Sequence, residues 1–110
     1  MFKNEKFIAG FDGQKFIVTG VKPKKLYDAE GKPTSANEAV RVTAVSRESG
    51  EIQIDLVPYA DDKLERMTAL FGVPFTVNDL TGVTDCKIYV FNGSLRVTIT
   101  AVDLEPSIDV

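Results

Sequence analysis

The segment CKIYVFNGSLRVTITAVDL, Cys86 to Leu104, decides the fold class. Two β-rich runs flank Asn92-Gly93, the dipeptide that most readily takes the positive φ angles of a two-residue hairpin turn. Lys87, Tyr89 and Phe91 alternate with Ile88 and Val90 before the turn. After it, Leu95, Val97, Ile99 and Ala101 alternate with Arg96, Thr98 and Thr100. A period of two sends successive side chains to opposite faces of a sheet, so one face is apolar and the other polar. The stretch is a β-hairpin.

Upstream, EAVRVTAVSRESGEIQIDLVP (Glu38–Pro58) repeats the pattern. Val40, Val42 and Ala44 share one face, with Arg41 and Thr43 on the other. Past the turn at 48–50, Ile52, Ile54 and Leu56 interleave with Gln53 and Asp55. QKFIVTGVKPKKLY supplies a first strand from about Lys15, and Pro23, which cannot donate to a ladder, marks an edge or a bulge. Between the hairpins, YADDKLERMTALFGVP reads as a helix of about ten residues. Asp61 or Asp62 caps it, Asp62 with Glu65 forms a capping box, and Gly72 closes it before Pro74. Leu64, Met67, Leu70 and Phe71 fall on one helical face. The paired acids at 61–62 suit a helix N-terminus and its dipole better than a metal.

Five main strands with one helix between the third and fourth is the element order of an OB-fold, a small partly open barrel. Another small β-barrel or an α+β sheet has the same order. The expected organisation is a mainly β, five-stranded OB-like domain over 15–104, with an N-terminal extension at 1–14 and a short acidic tail at 105–110.

A chain of 110 residues, 44% of them hydrophobic, can bury a core without disulfides or metals. The lone cysteine, Cys86, cannot form an intramolecular disulfide and reads as a buried structural thiol in a reducing, cytoplasmic setting. No apolar run reaches the length of a membrane span, and the N-terminus lacks the apolar core of a signal peptide. Histidine is absent, which excludes Ser-His and Cys-His nucleophilic catalysis, and GFDGQKF has neither P-loop nor dinucleotide spacing. The expectation is a non-catalytic protein without metal or cofactor.

Charge is distributed unevenly. The chain carries a net −3, yet residues 1–32 hold seven lysines against four acids. The densest run, VKPKKLYDAEGKPTSANEAVRV (Val21–Val42), places Lys22, Lys24, Lys25 and Lys32 around Tyr27 on what reads as a long connection between two strands. Such a basic segment on an acidic chain points to a polyanion-facing side. Its bland alternative is a solvated lysine loop that blunts an edge strand.

The layout KFIVTGVKPKKLYDAEGKP, EAVRVTAV, GEIQIDLVP and NGSLRVTITAVDL, spanning about 15–104, resembles small phage and plasmid helix-destabilising proteins. A fainter similarity is to accessory proteins of conjugative elements. The first resemblance implies cooperative, sequence-tolerant coating of single-stranded DNA by a dimer that works with replication or transfer proteins. Two departures from that family are the acidic net charge and the long connection PFTVNDLTGVTD after the helix.

Single-strand binding needs cations for phosphates and aromatic faces for bases. The candidate contacts are Lys22, Lys24, Lys25, Tyr27 and Lys32 on the basic segment, with Arg41, Lys87, Tyr89, Phe91 and Arg96 on the sheet. Tyr89 and Phe91 are either stacking platforms or core, because alternation alone does not say which face is buried. Phe7, Phe11, Phe16, Phe71 and Phe75 read as core or cover, and Phe2 as a partner contact. The rival function is a protein-interaction or structural module without nucleic-acid binding, whose β edges and acidic surface meet another protein.

Overall fold

The alternating runs become long ladders in the computed structural model of the chain, which describes residues 11 and 13–106. β1 (Phe16–Tyr27), β2 (Pro33–Ser46) and β3 (Gly50–Leu56) form an antiparallel meander. There follow α1 (Asp61–Thr68), β4 (Pro74–Phe75), a 3₁₀ turn (Val77–Asp79), β5 (Leu80–Thr81), β6 (Asp85–Phe91), β7 (Ser94–Ala101) and β8 (Asp103–Leu104). The β6–β7 hairpin turns at Asn92 and Gly93, whose φ angles are 50° and 77°. β7 then runs parallel to β3, with Gln53 opposite Thr98 and Leu56 opposite Ala101. A parallel pair needs a long crossover, and the segment carrying α1, β4, β5 and β6 supplies it. The main sheet has the order β4–β1–β2–β3–β7–β6, while β5 and β8 pair separately.

One apolar cluster fills the inner side of this sheet. Val40, Val42, Ala44, Ile54 and Leu56 are fully buried, and Ile99 and Ala101 join them across the parallel ladder. Phe16, at the start of β1, stands edge-on to Phe11 (centroids 5.7 Å apart) and stacked on Phe75 (5.8 Å). Met67 is the deepest helical contribution, at 1% exposure, with Leu64 and Leu70 packed alongside. Arg66 ties the helix to β8 by an ion pair with Asp103 at 3.0 Å.

Several expectations are corrected. The described residues hold eight strands where five were expected; the extra β4, β5 and β8 are two residues long, too short to display a period. The supposed long basic loop is a hairpin arm. β1 and β2 stay paired out to Tyr27 opposite Pro33, and only residues 28–32 connect them. Asp28 builds that turn by accepting the Glu30 and Lys32 N–H groups at 2.9 Å each, with Gly31 at φ 80°. The arm hid its strand character because it extends past the core, so neither face needs an apolar alternation. Pro23 sits on it beyond β4, where β1 has no second neighbour among the described strands, as an edge proline should.

The helix also differs. It spans eight residues, its N-cap is Ala60 with no side-chain cap, and Asp61 instead accepts the Tyr59 hydroxyl at 2.7 Å. The capping box lies elsewhere, between Thr76 and Asp79 at the 3₁₀ turn. Phe71 leaves the helical face after Thr68 and is 66% exposed, so it is not core. Gly72 does not cap the helix; its N–H donates to the Val18 carbonyl at 2.8 Å and docks this turn on β1. Phe2 and Phe7 lie outside the described residues, as do most of the 1–14 extension and positions 107–110 of the tail.

Gly82 gives a stability prediction. It takes φ 65° between β5 and β6, and an added Cβ would stand 2.6 Å from Val102 Cγ2. Left-handed backbone costs an L-residue about 1–2 kcal/mol before any clash. Gly82→Ala should therefore lower the urea midpoint by an amount equal to at least about 1 kcal/mol; an unchanged midpoint would contradict this packing.

Candidate functional site

Residues opposite one another across a ladder share a face, so the register assembles the outward face row by row. One row runs Lys22, Arg41, Asp55, Thr100, and the next runs Thr43, Gln53, Thr98, Lys87. Tyr89 follows, opposite Arg96. Burial of Cys86 on the inner side fixes the phase of β6, so Lys87 and Tyr89 point outward and Tyr89 is 44% exposed. Phe91 closes β6 opposite Ser94, but its side chain lies outside the described part.

These rows border a cleft of about 270 Å³ lined by Lys24, Arg41, Asp55, Lys87, Tyr89 and Thr98 among others. Asp55 sits at its floor, 5% exposed. Arg41 donates to it from Nε at 2.8 Å and Nη2 at 3.0 Å, a bidentate pair. Lys24 reaches the same carboxylate at 3.5 Å and Glu38 at 3.3 Å. Hydrogen bonding to Asp55, more than any other influence, raises the Arg41 pKa, and its guanidinium stays charged throughout the working range.

The ten candidates are thus only partly united. Lys24, Arg41, Lys87 and Tyr89 line the cleft. Lys22 shares the face, one strand outward from Arg41. Lys25 and Tyr27 belong to the arm, Tyr27 at 57% exposure near its tip, and Lys32 lies in the turn, 3.9 Å from Glu30. Arg96 lies 3.7 Å from Glu51. Lys22, Lys25 and Lys87 make no ion pair with any described residue. The carboxylates of Asp55 and Glu38 are the residues that inspection of cations and aromatics missed. A turn at 48–50 would set Arg41 opposite Val57; the turn instead occupies residues 47–49, with Ser46 opposite Gly50, and that shift of register pairs Arg41 with Asp55.

Cys86 belongs to the core and not to the site. It is fully buried, and burial first, then the Asp85 charge, pushes its thiol up from the ordinary 9.0. Because the folded thiol holds its proton more tightly than the unfolded one, its contribution to stability is complete below the ordinary thiol range and is lost as pH rises beyond that range through the raised folded value. The native protein should resist thiol reagents at pH 8 and react fully in urea; rapid native labelling would contradict the buried placement.

The chain matches no family model, no curated protein and no solved structure. No helix among the described residues is long and apolar enough to cross a membrane.

Proposed function

We propose that the protein binds single-stranded nucleic acid across the outward face of its sheet, in the manner of an OB-fold helix-destabilising protein of a phage, plasmid or conjugative element. The supporting observation is the cleft itself, where a half-exposed Tyr89 stands beside Lys87 and Arg41 on a polar face of threonines, a glutamine and lysines, with Asp55 and Glu38 paired to its cations. Unpaired bases stack on such aromatic faces while cations follow the backbone. Strand order favours the same view. A three-stranded meander, a helix, and a hairpin whose second strand runs parallel to β3 fit the OB barrel, with β6 and β7 as its fourth and fifth strands. In that fold the face of strands 2 and 3, flanked by the 1–2 and 4–5 loops, receives oligonucleotides. Here those loops are the Asp28–Lys32 turn and the Asn92-Gly93 turn.

A second view has its own observation. Lys24 and Arg41 are already paired with carboxylates, which suits a protein-interaction module whose groove meets a polar peptide. Fluorescence anisotropy of a labelled thirty-nucleotide poly-dT strand at two salt concentrations, with duplex of equal length as control, separates the two. Salt-weakened binding to the single strand alone is expected, and no binding at low salt would leave the protein-interaction module.

A further inference from the structure

The cations of the outward face divide by the company they keep. Lys24 and Arg41, with Glu38 and Asp55, form a four-membered cluster of zero net charge at the floor of the cleft. Lys22 on β1 and Lys87 on β6 stand toward the two edges of the five-strand face, with no ion pair to any described residue. A phosphate entering the floor meets two carboxylates as well as two cations. To take the Nε–Nη2 edge of Arg41 it must displace Asp55, leaving that buried carboxylate with Lys24 alone, and on the remaining N–H donors it lies close to the same two negative charges. A solvent-facing ion pair with phosphate returns little in exchange. The floor therefore rejects phosphate.

It does not reject a base. Asp55 occupies two of the five guanidinium N–H donors of Arg41. Three remain for carbonyl oxygens and ring nitrogens, and the Thr98 and Thr100 hydroxyls that line the same cleft both donate and accept. Tyr89 adds a ring at the wall. We infer that this neutral cluster is the base-contacting floor of the interface, that Asp55 is the residue that excludes phosphate from it, and that Lys22 and Lys87 carry the backbone at its edges. This rests on the single-strand binding proposed above and deepens it.

The test is the slope of log affinity against log salt, measured by anisotropy with the poly-dT strand for four proteins whose folding is verified by circular dichroism. Each phosphate neutralised on a single strand contributes about 0.7 to that slope. Lys87→Gln should lower it by about 0.7. The charge-conserving double substitution Lys24→Gln with Glu38→Gln should leave it at the wild-type value. Asp55→Asn, which gives the cluster one net positive charge and frees Arg41, should raise it by about 0.7. Should Asp55→Asn fail to fold, the other two variants still decide. A double variant that loses as much slope as Lys87→Gln, or a folded Asp55→Asn protein with the wild-type slope, overturns the inference while the single-strand reading stands. No binding by any of the four proteins overturns both.

Discussion

Replacing Phe16 by alanine is expected to lower the free energy of unfolding by about 3–5 kcal/mol. Phe16 is fully buried and bridges two other rings, Phe11 at 5.7 Å and Phe75 at 5.8 Å. Its backbone pairs with Phe75, so the ring is also where the short β4 fastens the segment after the helix to β1. Removing it empties a site between rings from two separate stretches of chain, and such walls relax only in part. Against a total stability of about 5–15 kcal/mol for a domain of this size, the loss is large. Urea denaturation followed by circular dichroism reads it directly. A loss below about 1 kcal/mol with an unchanged denaturant slope would mean that this end of the core collapses freely, contrary to the packing described.

Tyr89→Ala is the second large effect, on binding instead of folding. Tyr89 is 44% exposed on an edge strand, so its removal costs the fold little. A base stacked on an aromatic ring is worth about 1–3 kcal/mol, which is a loss of about 5- to 150-fold in affinity for poly-dT. The salt slope should stay the same, because no charge is removed. Phe71→Ala is the matched control, an aromatic ring 66% exposed at the end of the helix and not among the residues of the cleft. Equal losses for the two variants, or none for Tyr89→Ala, would separate the tyrosine from the strand.

Those two residues also show what a linear reading can and cannot deliver. The alternations around Val42, Ile54 and Ile99 were legible because each strand has one wet and one dry face, which period two records. Asn92-Gly93 was legible because the turn demands positive φ at both positions, and both have it. The phase of β6 was not, since Lys87, Tyr89 and Phe91 alternate with Ile88 and Val90 whichever set is buried. Packing of Cys86 at the inner face decided it. The basic arm reads as a loop for a related reason: strand patterning comes from a core, and the arm extends beyond the core. Phe71 failed because an apolar face at helical spacing says nothing about where the helix stops.

At the site, cations and aromatics were visible one by one, and their neutralisation was not. The net charge of −3 is a departure from the helix-destabilising proteins that the layout resembles. The geometry makes a more specific point, that Asp55 and Glu38 are spent on Arg41 and Lys24 while Lys22 and Lys87 are left unpaired among the described residues. Net charge is a poor guide to such a face, because it sums groups that have already cancelled.

The central claim is that unpaired nucleic acid lies on the outward face of β2, β3, β7 and β6. Titration of the ¹⁵N-labelled protein with a short poly-dT strand tests it residue by residue. The account predicts that the amide signals of Arg41, Thr43, Gln53, Lys87, Tyr89 and Thr98 move, while those of Leu64 and Met67 in α1 and of Leu80 and Leu104 in the small ladder stay in place. Spectra that do not change at saturating strand, or changes confined to the helix and the small ladder, would contradict it.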